Sequence, residues 1–293
     1  MPKVDLAQLK RPGFIKQREG EYFTIRLKIL AGNITSEQML VLSDIANTYA
    51  RGYVVLTLRL GVEIPWVKTE NLEKIKDELG KINLQPGGNG PTVRAIVACK
   101  GTICAHGLIN TQRLCSLLDK EHFGKKLPSK FKMGITGCPN NCAKAQLHDL
   151  GFMGQCMPQL EESLCEGCLA CIKICPSGAI EKVDDTVRID DARCIKCGKC
   201  ITICPEKAIS VKKQGVVLFI GGKFGKSYRI GERVGDVVSI EEAMVFAGKI
   251  LKYYEDNASP GERFGDTIHR IGIENIKICL NLPIEPDRQI KQS

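Results

Sequence analysis

The residues of this chain with the clearest chemistry are its cysteines, of which there are 15 among 293 residues. Four of them form two close pairs, Cys99 with Cys104 and Cys138 with Cys142. Because the N-terminal residues contain no apolar export segment, we interpret these pairs as metal ligands rather than disulfides. The spacing through Pro-Asn-Asn is unusual for a zinc site, which favours a [4Fe–4S] cluster held by four thiolates.

The second pair has helical i,i+4 spacing. If Cys138 begins a helix, its thiol and that of Cys142 lie on one face of the first turn. Pro139 suits the first helical position, where a missing N–H costs nothing. The free N–H groups and the positive dipole of that helix end would then stabilise thiolates.

Eight further cysteines form a doubled motif. The run Cys-x2-Cys-x2-Cys-x3-Cys-Pro begins at Cys165 and is repeated from Cys194. This pattern is typical of bacterial two-cluster ferredoxins and favours them over zinc, and in them the fourth cysteine of each run binds the other cluster. One predicted ligand set is Cys165, Cys168, Cys171 and Cys204. The other is Cys194, Cys197, Cys200 and Cys175.

Basic residues recur on the strands predicted around the first two cysteine pairs. These residues are Arg26, Lys28, Arg59, Arg94, Lys130 and Lys132. The apolar residues of each strand largely take the other face, and most of these cations lack an acidic neighbour on their own face. Each one alone could simply be a solvent-exposed charge. Together they predict an anion site, where arginine makes bidentate contacts and lysine supplies a point charge and a proton.

Apart from the cysteines, the composition is that of an ordinary globular protein, with 43% hydrophobic and 26% charged residues. We expect a cytoplasmic, reduced protein without a membrane span, because no apolar run is long enough to cross a bilayer. The formal net charge of +9 would fall to about +3 with three [4Fe–4S] clusters. With 5% aromatic residues and no recognition motif, the sequence does not indicate nucleic-acid binding.

The N-terminal part of the chain predicts alternating strands and helices. Strands are expected over about 21–30 and 53–60, because apolar and polar residues alternate there. One helix should begin after Thr35, which forms a capping box with Gln38, and a second after Thr69. This order indicates a layered α/β or α+β unit.

A glycine- and proline-rich linker over 85–91 precedes a second series of elements. The predicted elements are strands over 92–98, 130–135 and 216–220 and helices after Cys104, after Ser239 and over 262–271. Cys115 falls on the apolar side of the first of these helices and is expected in the core.

The doubled cysteine motif interrupts this series, which resumes after it. We therefore predict an α+β fold with an inserted two-cluster ferredoxin domain. The predicted domains are a ferredoxin-like half-domain over 1–80, a cofactor domain over 81–158 and 212–293, and the insertion over 159–211.

Five motifs occur in a fixed order along the chain. They are Thr24-Ile-Arg-Leu-Lys-Ile-Leu-Ala-Gly32, Leu56-Thr-Leu-Arg-Leu-Gly-Val-Glu-Ile64, Val93-Arg-Ala-Ile-Val-Ala-Cys99, Lys130-Phe-Lys132 and Thr136-Gly-Cys-Pro-Asn-Asn-Cys142. In this order they resemble the sirohaem-dependent sulfite and nitrite reductase superfamily over nearly the whole chain. The resemblance is strongest to subunits that carry an inserted ferredoxin domain.

The resemblance implies sirohaem and three [4Fe–4S] clusters as cofactors. One cluster would be held by Cys99, Cys104, Cys138 and Cys142, with Cys142 also bridging to the sirohaem iron. Positions around the bound oxyanion are matched by Arg26, Arg94, Lys130 and Lys132, and positions near the sirohaem carboxylates by Arg59 and Lys28. The implied reaction is six-electron reduction of sulfite to sulfide, with electrons entering through the ferredoxin domain. Nitrite reduction to ammonia and electron transfer without turnover are the alternatives.

The resemblance also bears on partners. In the family, the cluster ligands and the anion-binding residues of one site come from different repeats, and this chain supplies one repeat. We therefore expect a homo- or hetero-oligomer, most simply a second copy about a two-fold axis. The electron donor would be a ferredoxin, a flavoprotein or a companion subunit. We assign no role to Cys156, Cys279 or the four histidines.

Overall fold

The computed structural model describes residues 13–281. In that range the strands form two five-stranded sheets and a separate hairpin. The strands are β1 (Phe14–Lys16), β2 (Tyr22–Lys28), β3 (Val55–Leu56), β4 (Val62–Lys68), β5 (Gln85–Pro86), β6 (Val97–Ala98), β7 (Met133–Thr136), β8 (Leu150–Leu160), β9 (Ile180–Val183), β10 (Thr186–Ile189), β11 (Ile209–Ile220) and β12 (Glu232–Val238). The α-helices are α1 (Ser36–Tyr49), α2 (Leu72–Lys81), α3 (Thr111–His122), α4 (Ala170–Ile174), α5 (Lys199–Ile203), α6 (Ile240–Asn257), α7 (Phe264–Ile271) and α8 (Ile273–Cys279). The mixed architecture agrees with the predicted α+β class.

The first sheet has the order β1-β2-β4-β3, with β5 also paired to β2. Alternation along β2 buries Ile25 and Leu27, which pack with Ile45 of α1 and Ile75 of α2. The predicted capping box of α1 is confirmed, since Thr35 Oγ1 accepts the Gln38 N–H at 3.1 Å and the Gln38 side chain accepts the Thr35 N–H.

The strand predicted over 53–60 is wrong in extent. Only Val55–Leu56 pairs, and the chain then reverses in a turn in which Thr57 Oγ1 accepts the Gly61 N–H at 3.0 Å. The main strand is β4, which follows the turn. The alternation in this stretch is weak, because the apolar Val55 shares a face with Thr57 and Arg59, and Leu58 is in fact fully exposed. Arg59 therefore lies in a turn.

The second sheet has the order β12-β11-β8-β7-β6. Strands β6, β7 and β8 are parallel, and β11 and β12 are antiparallel to their neighbours. Its core includes a trio of aromatic rings, Phe131, Tyr254 and Phe264, with centroids 5.3 to 5.6 Å apart. The capping box at Ser239 and the burial of Cys115 in α3 are both confirmed.

Several element boundaries differ from the predictions. The strands predicted over 92–98 and 130–135 are shorter and begin later, so Arg94, Lys130 and Lys132 lie in the segments that lead into β6 and β7. The helix predicted over 262–271 is not the last, because α8 follows it after Gly272, whose φ of 95° interrupts the helical path.

Strands β8 and β11 form a long antiparallel pair that extends beyond the sheet. They are paired from Leu150 opposite Ile220 to Leu160 opposite Ile209. The segment 161–208, which we call the ferredoxin-like segment, lies between the ends of these two strands and contains α4, α5 and the β9–β10 hairpin. It packs around its own small core, which includes Ile180 and Val187. None of the helices in residues 13–281 is long and apolar enough to cross a membrane.

Candidate redox and anion-binding site

Four cysteines of the ferredoxin-like segment surround a small cavity, which we call the outer cavity. They are Cys165, Cys168, Cys171 and Cys204. These are the four residues that the motif spacing predicts as ligands of one cluster, three from the first run and one from the second. Four cysteine thiolates are the usual ligands of a [4Fe–4S] cluster.

The remaining four cysteines of the segment surround a second small cavity, the inner cavity. They are Cys175, Cys194, Cys197 and Cys200. Backbone N–H groups point at two of these sulfurs, from Ala179 to Cys175 at 3.3 Å and from Lys196 to Cys194 at 3.4 Å. Such N–H groups stabilise thiolates and a negatively charged cluster.

The other two cysteine pairs meet at one edge of the second sheet. Cys99 follows β6 and Cys138 follows β7, and these strands are parallel neighbours. The pKa of the Cys138 thiol is raised by burial and further by the nearby sulfurs of Cys99, Cys142 and Cys104, while the N–H of Asn140 opposes the shift. Four crowded sulfurs form the donor set that an iron–sulfur cluster needs, and we call this group the Cys138 site.

The segment from Cys138 to Cys142 is not helical. It consists of turns, in which the Asn141 N–H donates to the Cys138 carbonyl at 3.1 Å and Asn141 has a φ of 54°. The helix dipole considered from the sequence is therefore absent here. A backbone N–H can stabilise a thiolate here instead, because the Gly137 N–H donates to Cys99 Sγ at 3.1 Å.

Among residues 13–281, no three His, Cys, Asp or Glu side chains converge closely enough to hold a single metal ion. Cys142 is exposed at the protein surface, where it can reach a group outside this chain.

A larger cavity, of about 480 Å³, lies between the two sheets. Five of the six predicted cations line it, namely Arg26, Arg59, Arg94, Lys130 and Lys132. We call it the cationic cavity. The lining also includes Glu63 of β4, whose Oε1 lies 2.6 Å from Arg26 Nε. That partner was missed because β4 was not predicted.

Lys28 lies apart from the cationic cavity. Its Nζ is 2.6 Å from Asp119 Oδ2 and 4.3 Å from the centre of the Phe123 ring. Both charged side chains of this pair are largely buried, with 16% and 11% exposure. In this arrangement Lys28 joins β2 to α3, and its predicted contact with a cofactor carboxylate stays a prediction.

The cations of the cavity repel one another. Burial and the neighbouring Arg94 lower the pKa of Arg59 to about 10, and burial with Arg26 and Arg263 lowers that of Arg94 to about 10. The pKa of Lys132 falls to about 8, because of burial and of the positive charges of Arg59 and Arg263. The Nε atom of Arg94 is buried and has no hydrogen-bond partner. This arrangement favours a bound anion, which would offset the excess positive charge.

Two further residues, Asp149 and Arg263, fix this region. Arg263 Nη2 lies 2.8 and 2.7 Å from the two carboxylate oxygens of Asp149, which is fully buried. Asp149 also accepts the backbone N–H of Lys132 at 2.8 Å. Because Asp149 and Arg263 are far apart in sequence, no spacing pattern could have revealed the pair. Nearby His148 is neutral, since burial lowers its pKa to about 4.

Comparison with known families gives two matches along the chain. Residues 89–286 match the nitrite and sulphite reductase 4Fe-4S domain. Residues 15–82 match the nitrite/sulfite reductase ferredoxin-like half domain.

Individual relatives support the same assignment. The coenzyme F420-dependent sulfite reductase of Methanocaldococcus jannaschii is 35% identical over 264 residues, which are 89% of this chain and 42% of that protein. The dissimilatory-type sulfite reductase alpha subunit of Allochromatium vinosum is 27% identical over 298 residues, covering 91% of this chain and 70% of the subunit. The chain thus spans less than half the length of the first of these relatives.

Solved structures show the same fold. The crystal structure of dissimilatory sulfite reductase I matches 94% of this chain and 74% of its own chain, with a TM-score of 0.73 and 19% identity. The NirA protein of Mycobacterium tuberculosis matches 98% of this chain and 49% of its own, with a TM-score of 0.69 and 17% identity. Since a single family match covers residues 89–286, this chain belongs to the nitrite and sulphite reductase family.

Proposed function

We propose that this chain catalyses the six-electron reduction of sulfite to sulfide. The observation that carries the proposal is the cationic cavity, in which five positive side chains face one carboxylate, that of Glu63. A small dianion with three oxygens can accept several charge-assisted hydrogen bonds from such a lining. Relatives named as sulfite reductases support sulfite as the substrate.

The cofactors proposed are sirohaem and three [4Fe–4S] clusters, the cofactor types that the family uses. The cysteine-lined outer and inner cavities and the Cys138 site fit the clusters. The positive charge of the cationic cavity fits a macrocycle with many carboxylates. When bound, sirohaem would supply the redox chemistry of the reaction in one-electron steps.

The protein's own contribution is to hold the anion and supply protons. Arg94 is restrained, since its Nη1 donates to the Gly88 carbonyl, while its buried Nε remains free for a ligand. Lys132 has a pKa of about 8, so it carries a proton at neutral pH and can release it as an S–O bond breaks. Asp149 anchors the backbone of Lys132 and so positions its side chain.

The two halves of the proposed site lie at opposite ends of the same strands. Arg94 and Lys132 precede β6 and β7, whereas Cys99 and Cys138 follow them. The rise of a strand separates the two ends by about 15–20 Å. No cysteine lines the cationic cavity of the chain as described. We therefore propose a pair of copies in which the Cys138 site of one faces the cationic cavity of the other.

Complementation between two inactive variants tests this arrangement. Cys138→Ser removes a thiol and Lys132→Ala removes a cation. Neither homodimer would therefore contain a complete site. A mixed dimer would keep one intact site, and random mixing should restore about a quarter of the normal activity. Recovery should be absent when either variant is mixed with the double variant. No recovery in a properly mixed dimer would contradict the shared site and favour a companion subunit.

Substrate competition tests the reaction itself. With a reduced low-potential donor, purified protein should convert sulfite to sulfide with a higher kcat/KM than it shows for nitrite. Nitrite is the second candidate, because the nitrite reductase [NAD(P)H] of Bacillus subtilis is 24% identical over 270 residues. Sirohaem absorption bands without turnover of either anion would instead indicate an electron-transfer protein. We propose a ferredoxin, a flavoprotein or a companion subunit as the natural donor.

A further inference from the structure

We propose that Asn89 sets the anion preference of the cationic cavity. Its amide oxygen holds Arg26 and Arg94 together as a pair, and its amide N–H donates to a further oxygen of the bound oxyanion. This inference rests on the proposed function, because it takes sulfite as the ligand of that cavity. It assigns a role to a residue of the glycine- and proline-rich segment 85–91, which the sequence indicated only as a linker.

Segment 85–91 is built into the first sheet. Its first two residues form β5, which pairs with β2. The Gly87 N–H donates to the Arg26 carbonyl at 3.0 Å. Gly88 and Gly90, on either side of Asn89, have φ values of 83° and 80°, a conformation that glycine adopts readily. The backbone of the segment therefore fixes Asn89 beside the strand that carries Arg26.

The Asn89 side chain joins two guanidinium groups. Its Oδ1 accepts a hydrogen bond from Arg26 Nη1 at 2.7 Å and another from Arg94 Nη1 at 3.4 Å. Arg26 Nε also lies 2.6 Å from Glu63 Oε1, and Arg94 Nη1 also donates to the Gly88 carbonyl. Burial and the charge of Arg26 lower the pKa of Arg94 to about 10. A neutral acceptor between these cations holds them side by side without adding a negative charge that would repel an anion.

The amide nitrogen of Asn89 is left without an acceptor. Because a guanidinium can only donate, Oδ1 must face the arginines and Nδ2 must face away from them. Asn89 is 5% exposed, and no acceptor for its Nδ2 is found among residues 13–281. A buried N–H without an acceptor is destabilising unless a ligand supplies one. Since Asn89 lines the cationic cavity, a ligand of that cavity is the natural source of the missing acceptor.

The number of donors on this wall of the cavity distinguishes sulfite from nitrite. Each of the two guanidinium groups can bind one oxygen of either anion. The Asn89 N–H adds a donor for a third oxygen, which sulfite has and nitrite lacks. Asn89 therefore contributes to the preference for sulfite, whereas the proton that we assign to Lys132 does not depend on it.

Anion binding to the oxidised full chain with its cofactors tests this role without turnover. Isothermal titration calorimetry gives a dissociation constant for sulfite and one for nitrite. Asn89→Ala should raise the constant for sulfite by about 10–100-fold, the loss expected for a hydrogen bond to a charged partner, and that for nitrite by less. Asn257→Ala is the matched control, because Asn257 Nδ2 donates to the Tyr253 carbonyl at 2.8 Å at the end of α6. Both constants should be unchanged in this control.

Asn89→Asp separates the two ends of the side chain, and it also serves if Asn89→Ala does not fold. This variant keeps an acceptor for both arginines but replaces the N–H donor with a negatively charged oxygen. Its affinity for sulfite should fall even further than that of Asn89→Ala.

Steady-state kinetics of Asn89→Ala provide a readout that general damage to the cavity would not give. The KM for sulfite should rise by a larger factor than kcat falls, because the variant loses a contact with the bound anion. The alkaline fall of turnover near pH 8 should remain, because the lowered pKa of Lys132 comes from burial and from Arg59 and Arg263. A disrupted cavity would shift this fall as well.

Two results would overturn the role of Asn89. One is an unchanged affinity for sulfite in Asn89→Asp, and the other is an equal loss of affinity for sulfite and nitrite in Asn89→Ala. Failure of the proposed function has a different signature. Normal sulfite binding by the unsubstituted protein, without turnover of either anion, contradicts the proposed function, and the dissociation constants of the variants still decide the role of Asn89.

Discussion

The ferredoxin-like segment and the cationic cavity assemble their functional side chains in different ways. In the segment, each cavity takes three thiols from one short run and the fourth from its repeat, so local spacing contains almost the whole ligand set. The cationic cavity collects side chains from β2, from the turn before β4 and from the segments before β6 and β7. Its geometry depends on acids such as Glu63 and Asp149, which no local motif indicates. A site whose side chains come from one short segment should therefore tolerate substitutions elsewhere in the chain. A site assembled from several distant segments should not.

The largest effect is expected from Lys132→Ala. Loss of a positioned proton donor and of a charge beside the anion should lower sulfite turnover by about 10²–10⁴-fold. Steady-state rates and cofactor content measured on the same sample provide the check. Lys126→Ala, an exposed lysine outside the cavity, is the matched control and should retain normal rates. Normal turnover in Lys132→Ala would remove this residue from the mechanism.

The next largest effect is expected from Asp149→Asn, as a decrease in the free energy of unfolding. The change keeps the shape of the side chain but leaves the Arg263 charge buried without its partner. Breaking a buried pair in this way costs about 3–5 kcal/mol. Denaturant unfolding measures the loss, with Glu241→Gln of the exposed Arg113–Glu241 pair as the control. A similar small change in both variants would show that the buried pair is not critical.

The pH dependence of turnover should report the protonation state of Lys132. Its pKa of about 8 lies below the ordinary value of 10.5, so the charged form is present below pH 8 and is lost above it. Activity that needs this proton should fall about tenfold per pH unit on the alkaline side. Because sulfite itself titrates, Lys132→Arg serves as the reference. This variant keeps its charge, so whatever activity it retains should lack the alkaline fall. An identical profile in both proteins would assign the fall to another group.

The smallest effect is expected from removing the N-cap of α6, a local feature that contrasts with the buried Asp149–Arg263 pair. Ser239 Oγ accepts the Glu242 N–H at 3.1 Å at the start of α6. Removing this bond with Ser239→Ala should lower the free energy of unfolding by about 1 kcal/mol and leave sulfite turnover unchanged. Thermal or denaturant unfolding gives the first value and a rate assay the second. A loss as large as that of Asp149→Asn would contradict the distinction between local and long-range features.

Local signals in the sequence predicted much of the fold. The capping boxes at Thr35 and Ser239 and the alternation along β2 each depend on neighbouring residues, and all three are found in the structure. Cys115 could be placed in the core for the same reason, from the apolar face of α3. The predicted domain boundaries stay predictions, and parts of them lie outside residues 13–281.

Features that depend on long-range packing could not be predicted. The apolar residues around Leu56 suggested a strand, but the following turn and β4 decide where pairing occurs. The partner of Arg26 and that of Lys28 became visible only once β4 and α3 were in place. The same holds for the turn at Cys138, where helical spacing was present but the backbone folds differently.

The long β8–β11 pair has a consequence for how such proteins change over evolutionary time. Because Leu160 and Ile209 are directly opposite each other, the intervening segment leaves and rejoins the sheet at a single point, as a hairpin loop does. A gene could gain, lose or exchange that segment and still encode the same two-sheet scaffold. The fold thus allows the segment that carries the eight clustered cysteines to change independently of the cationic cavity.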